Sequence, residues 1–124
     1  MRRRRDALVE RIAAAGRDPA SVTIVAVTKG FGADAVRAAL DAGLTTLGEN
    51  YVDELEAKRA ATRDVAATWH FLGALQTNKI ARALAAADVL CALSRAREAE
   101  RVAALRPGAR VYVEVDYTDD PGRA

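Results

Sequence analysis

Cysteine and histidine are nearly absent from this chain, with one of each in 124 residues. A lone Cys91 excludes an intrachain disulfide, and Cys91 with the single His70 cannot assemble a His/Cys zinc site. Aromatic residues are only 5%, too little material for a nucleic-acid stacking platform. The net charge of +2 gives no ground for a polyanion partner. No apolar run reaches the length of a bilayer span. The basic run Arg2 to Arg5 leads into Asp6 and a mixed helical pattern, not into a signal-peptide core. The nucleotide loops GxGxxG and GxxxxGK[ST] are missing, and so is the nucleophile elbow GxSxG.

What is present is an ordinary globular composition, 51% hydrophobic and 29% charged, in a chain of one-domain size. It can bury a core without staples. No linker or low-complexity segment divides it. The Arg2 to Arg5 run reads as a frayed, solvated first turn, or else as a phosphate or membrane contact. Cys91, inside Val89-Leu90-Cys91-Ala92-Leu93, reads as buried filler or as a reactive thiol. Such cysteine usage suits a reducing cytoplasm.

The hydrophobic pattern predicts regular alternation. A first helix carries Leu8, Ile12 and Ala15 on one face and stops at Gly16. Ser21 opens the β-rich run 22–27, apolar on both faces like a parallel strand covered on both sides. Helices are expected over 34–42, 51–61 and 78–87, and one more carrying Ala99, Val102 and Leu105. Strands are expected over 44–47, 68–72, 88–93 and 110–116. In the last, Val111, Val113 and Val115 face one way and Tyr112, Glu114 and Asp116 the other. Strand-helix repetition implies a parallel sheet with right-handed crossovers. Two α/β architectures fit: an open five-stranded flavodoxin-like sheet, or the N-terminal part of a (β/α)8 barrel. The tail from Thr118 to Ala124 reads as a loop with no helix after it, so the chain is expected to be interrupted.

In either architecture ligands bind at the carboxyl ends of the strands. Those positions hold Thr28 and Lys29; Gly48, Glu49, Asn50 and Tyr51; His70 and Gly73, then Gln76, Thr77 and Asn78; Ser94; and Asp116. A lysine ending an apolar strand is expected to be partly desolvated, which frees its neutral amine as a nucleophile for a Schiff base; alternatively it reaches solvent. Asn50 caps the next helix or hydrogen-bonds a ligand, and Glu49 is an acid at a helix N-terminus. His70 is a general acid/base or a buried histidine satisfied by backbone. Gln76, Thr77 and Asn78 offer ligand contacts or turn and cap residues, and Ser94 is placed to cap the last helix.

Three segments together carry a resemblance: Val25-Ala26-Val27-Thr28-Lys29, then Gly48-Glu49-Asn50-Tyr51, then the run from Trp69-His70-Phe71-Leu72-Gly73 through Gln76-Thr77-Asn78-Lys79. In order and spacing they resemble the pyridoxal-phosphate homeostasis protein family, whose fold is similar to the N-terminal barrel of alanine racemase. The resemblance runs from Ser21 to the end. It implies one α/β domain over 1–124, a partial TIM-type barrel, binding pyridoxal 5′-phosphate as a Schiff base on Lys29. Asn50, His70 and Asn78 would be further cofactor-binding positions. It implies a cytoplasmic role in cofactor and amino-acid homeostasis without established catalytic turnover. The family chain is nearly twice as long, so this one is expected to be truncated, lacking strands six to eight and the loops that grip the phosphate. An open barrel edge would favour a homo-oligomer. The competing readings are a noncatalytic flavodoxin-like binding or signalling module, and a fragment of a pyridoxal-dependent racemase.

Overall fold

The computed structural model describes residues 1–115 and 117. Asp116 and residues 118–124, expected as a rim carboxylate and a closing loop, lie outside the described residues. The elements are α1 (Arg2–Ala14), β1 (Val25–Val27), α2 (Ala33–Asp41), β2 (Thr46–Glu49), α3 (Val52–Ala61), β3 (Thr68–Phe71), α4 (Ile80–Ala86), β4 (Val89–Leu93), α5 (Ala96–Leu105) and β5 (Arg110–Val113). Single 3-10 turns stand at Pro19–Ser21 and Thr77–Lys79.

All neighbouring strands pair in parallel, in the order β1-β2-β3-β4-β5. This sequential order is that of consecutive strands in a (β/α)8 barrel, with right-handed crossovers keeping the helices to one face. A flavodoxin-like sheet would place β1 between β2 and β3. Here β2 separates β1 from β3, which removes that alternative.

The core lies on the helix side. Val36 and Ala39 of α2, Val52 and Leu55 of α3, Ile80, Ala83 and Leu84 of α4, and Val102 of α5 pack with Leu47, Trp69, Phe71 and Leu90 of the strands. Full burial of each large side chain is worth about 1.5–3 kcal/mol, and their three- and four-residue spacing is what makes these segments helical. The opposite face is concave and open. Val25, Thr46, Thr68, His70, Cys91, Arg110 and Tyr112 line a depression of about 390 Å³ there.

Several expectations shift. β1 is covered on one face only, and Val27 is 46% exposed, because the layer of helices lies on the other side. The strand starts at Val25 because Asp18 accepts from the Ala20 amide at 2.9 Å and, with Pro19, turns the chain into a 3-10 helix. β2 starts at Thr46 because Leu44 closes α2. Gly43 adopts φ 79°, its amide donates to Leu40, and the Leu44 amide donates to Ala39, a Schellman ending. α4 begins at Ile80, after the 3-10 turn. α1 includes Arg2 to Arg5 and is not frayed: Arg5 pairs with Asp6 at 2.9 Å and Arg2 donates to the Asp41 carbonyl at 2.5 Å. Its inner face is Val9 and Ile12, both half-buried, while Leu8 and Ala15 are exposed. In α5, Glu98 and Val102 face inward, and Ala99 and Leu105 do not. Ser94 does not cap α5: Arg95 is the N-cap, and Glu98 accepts from the Ser94 and Arg95 amides. β5 ends at Val113 and is exposed throughout.

Candidate functional site

The site begins where β1 and β2 end. Val27 lies in register with Gly48, and the Thr28 amide donates to the Gly48 carbonyl at 3.0 Å. Thr28 turns toward the helices, is buried, and donates its hydroxyl to Glu49 Oε1 at 2.5 Å. The chain then folds back. The Phe31 amide donates to the Thr28 carbonyl at 3.1 Å, and Gly30 adopts φ 75°. This puts Lys29 at the second position of a tight turn whose third position needs a positive φ. Lys29 is exposed, so the partial desolvation expected of it is not present.

Asn50 follows β2 at the same end of the sheet and is half-buried. It does not cap α3: the N-cap is Tyr51, without a side-chain hydrogen bond. The Asn50 amide makes no side-chain hydrogen bond among the described residues. Its carbonyl abuts Gly73, where a Cβ would stand 2.0 Å from the Asn50 oxygen. The second and third motifs therefore meet in backbone contact, which requires a glycine.

His70 lies within β3, on the concave face. Its ring stacks on Tyr112 with centroids 6.4 Å apart, and Nδ1 is 3.5 Å from Cys91 Sγ. Burial, then the charge of Arg110, pushes the imidazole below its ordinary value. Cys91 is thus not filler in the helix-packed core. It is half-buried beside His70, and burial pushes its thiol up. Asn78 is exposed in the 3-10 turn and lines a cleft with Thr77, Arg97, Glu100 and Arg101. That cleft runs along α5, so Asn78 is not brought to the concave face with His70.

Glu49 and Lys58 are the residues whose role the sequence concealed. Glu49 belongs to β2 and is 0% exposed, not an acid at a helix terminus. Lys58 of α3 is also buried and donates to Glu49 Oε1 at 2.5 Å, to Glu54 Oε2 at 3.0 Å and to the Thr28 carbonyl at 2.7 Å. The i,i+4 spacing of Glu54 and Lys58 is a legible signal, but that spacing normally marks an exposed face.

The chain has three lysines, and the structure sorts them. Lys58 is buried in its carboxylate pair, and Lys79 stands 3.9 Å from Asp53. Lys29 makes no salt bridge among the described residues. Among the described residues, the ends of β1 and β2 present one primary amine without a salt bridge and one side-chain amide without a hydrogen bond, and the concave face of the sheet carries an imidazole, a phenol and a guanidinium.

Comparison with known proteins agrees with the resemblance in the three motifs. A pyridoxal phosphate homeostasis protein of Pseudomonas aeruginosa is 42% identical over 94 residues, covering 76% of this chain and 41% of the relative. The protein of that name from Escherichia coli K12 is 33% identical over 116 residues, covering 88% and 50%. The chain spans about half the length of the curated relatives it matches. Among solved structures, PipY of Synechococcus elongatus without pyridoxal phosphate aligns at TM-score 0.78 and 34% identity, over 91% of this chain and 55% of that one. PipY with pyridoxal phosphate bound aligns at TM-score 0.68 and 38% identity, over 78% and 47%. Residues 4–123 match the family described as alanine racemase, N-terminal domain, and the chain belongs to that family.

Proposed function

We propose that this chain binds pyridoxal 5′-phosphate through Lys29 and serves in cofactor and amino-acid homeostasis, with no catalytic turnover of its own. The observation that carries the reading is the sorting of the lysines: Lys58 and Lys79 face carboxylates, while Lys29 stands exposed and unbridged among the described residues at the end of β1. When bound, the cofactor supplies an aldehyde with which a neutral lysine amine condenses, releasing water and forming a C=N bond. The described residues fit that covalent requirement. Lys29 supplies the amine, Asn50 lies at the adjacent strand end with its side-chain amide making no hydrogen bond among the described residues, and His70 and Tyr112 line the concave face of the same sheet. The relatives named for pyridoxal phosphate homeostasis, and the PipY structure with the cofactor bound, support the same reading.

In this reading His70 acts from the floor of the site, and Asn78 has the weakest claim because it lines a different cleft. The chain works as one α/β unit, a partial cofactor-binding barrel, in the cytoplasm. Among the described residues no helix is long and apolar enough to cross a membrane. With β1 and β5 at the two margins of the sheet, self-association through an open edge is part of the proposal.

The test is direct. Pyridoxal phosphate is titrated into wild type and Lys29→Ala while the visible spectrum is recorded. A Schiff-base band in wild type, absent from the variant and trapped on Lys29 by borohydride, is the expected result. A wild type that shows no band, or an unchanged band in Lys29→Ala, overturns the assignment.

A further inference from the structure

The residues on either side of Lys29 are tied to one buried cluster. Before it, the Thr28 carbonyl accepts from Lys58 Nζ at 2.7 Å, and the Thr28 hydroxyl donates to Glu49 Oε1 at 2.5 Å. After it, the Gly30 amide donates to Glu54 Oε2 at 3.0 Å. Lys58 joins these anchors, donating to Glu49 Oε1 at 2.5 Å and to Glu54 Oε2 at 3.0 Å. Its three donors are therefore spent on Thr28, Glu49 and Glu54. The Lys58 ammonium, followed by the Gly30 amide, holds the Glu54 carboxyl below the usual range.

Burying a lysine and a glutamate costs several kcal/mol per ion before their attraction offsets it. A helix-sheet contact at this place could be made of apolar side chains, as it is at Leu47 and Leu55. What an apolar contact cannot do is hold two specific main-chain groups. A carbonyl needs a donor and an amide needs an acceptor, and here one ammonium supplies the first and orients the carboxylate for the second. The segment held is a tight turn, which without such anchors would be among the more mobile parts of an α/β rim.

We infer that Lys58, acting with Glu49 and Glu54, is a positioning residue for Lys29: it clamps the main chain before and after the cofactor lysine, so that the amine is presented in one place. The inference rests on the assignment of Lys29 as the cofactor lysine. The clamp's contribution is pre-organisation, which lowers the ordering cost at the moment of binding. None of the three touches the cofactor in this scheme.

Glu54 is the residue to vary, since its side chain is only partly buried and its loss leaves the Glu49–Lys58 pair in place. Two readouts are compared in wild type, Glu54→Ala and Glu54→Gln. The first is amide exchange at Gly30 in the cofactor-free protein. Exchange is expected to speed up about tenfold in Glu54→Ala, which has no acceptor, and to stay near wild type in Glu54→Gln, whose carbonyl oxygen accepts. The second is borohydride trapping of pyridoxal phosphate, with adducts located by peptide mass spectrometry. The concentration that half-labels Lys29 should rise about tenfold in Glu54→Ala, while Glu54→Gln retains most of the wild-type response. Labelling at Lys79, outside the clamp, is the internal reference and should not change. A double variant, Lys58→Met with Glu49→Gln, removes both charges together and should lose Lys29 preference as Glu54→Ala does while remaining folded by circular dichroism. Equal Lys29 labelling in wild type and Glu54→Ala overturns the clamp, as does an equal loss in Glu54→Gln. A wild type that labels Lys29 no better than Lys79 takes down the cofactor assignment and the clamp with it, and that failure is recognised before any variant is compared.

Discussion

Lys58 Nζ and Glu49 Oε1 stand 2.5 Å apart between α3 and the end of β2, with side chains 5% and 0% exposed. One oxygen of Glu49 takes both Lys58 and the Thr28 hydroxyl, while Oε2 has no partner among the described residues. The pair has little slack. Lys58→Met alone strands the Glu49 charge and should destabilise the protein by about 3–5 kcal/mol. Adding Glu49→Gln should recover a large part of that loss. Urea unfolding of both variants, read at the midpoint with slopes compared, checks the prediction.

The contact between Gly73 and Asn50 predicts a graded pair of glycine variants. In Gly73→Ala the new Cβ meets the Asn50 carbonyl oxygen at 2.0 Å, a backbone atom that cannot step aside. In Gly48→Ala it meets Leu72 Cδ1 at 2.6 Å, the far end of a flexible side chain. Overpacking ordinarily costs about 1–3 kcal/mol. Gly73→Ala should reach or exceed the upper end and Gly48→Ala lie near the lower, as thermal unfolding would show.

His70 predicts a pH window. Burial and Arg110 put its folded-state pKa below the ordinary 6.5. As pH falls through 6.5 the unfolded chain therefore takes up the proton first. Stability contributed by neutral His70 is complete above 6.5 and is lost as pH falls toward the folded value. Carboxylates such as Glu54, with an ordinary value of 4.5, add their own loss further down. Wild type should begin to lose stability as pH falls below 6.5, and His70→Gln should lack that first loss. Chemical denaturation at stepped pH separates the two.

Cys91 is expected to be a sluggish nucleophile. It is half-buried, and burial raises its thiol pKa, so little thiolate exists at neutral pH. Alkylation of the folded protein should run about tenfold slower than that of the urea-unfolded chain. Equal rates would return Cys91 to the class of reactive thiols.

The open sheet margins predict association. β5 runs along one margin with all its residues exposed, Val113 at 69% and Tyr112 at 57%. Light scattering should find a dimer at micromolar concentration, and a monodisperse monomer would sink the proposed pairing.

Much of this protein follows from sequence because its signals are local. The Val25-Ala26-Val27 run, the stop at Gly16 and the spacing of Val36, Leu55 and Val102 specify β/α alternation through periodicity and stop residues, which need no knowledge of distant contacts. Lys29 was legible for the same reason, as a lysine placed where a strand ends. The tertiary structure decided what depends on which elements meet. Strand order, which separates a barrel arc from a flavodoxin-like sheet, is a matter of long-range pairing. Of the two readings open for Asn50, the cap falls away, since Tyr51 is the N-cap of α3 and the Asn50 backbone is drawn against Gly73, 23 residues along the chain. Glu49 read as an acid at a helix N-terminus and Lys58 was not singled out, since composition and period assign a charged helical residue to the surface. Only folding brings Thr28, Glu49 and Lys58 into one dry space, where the ammonium can donate at once to a carbonyl and to one oxygen of each of two carboxylates.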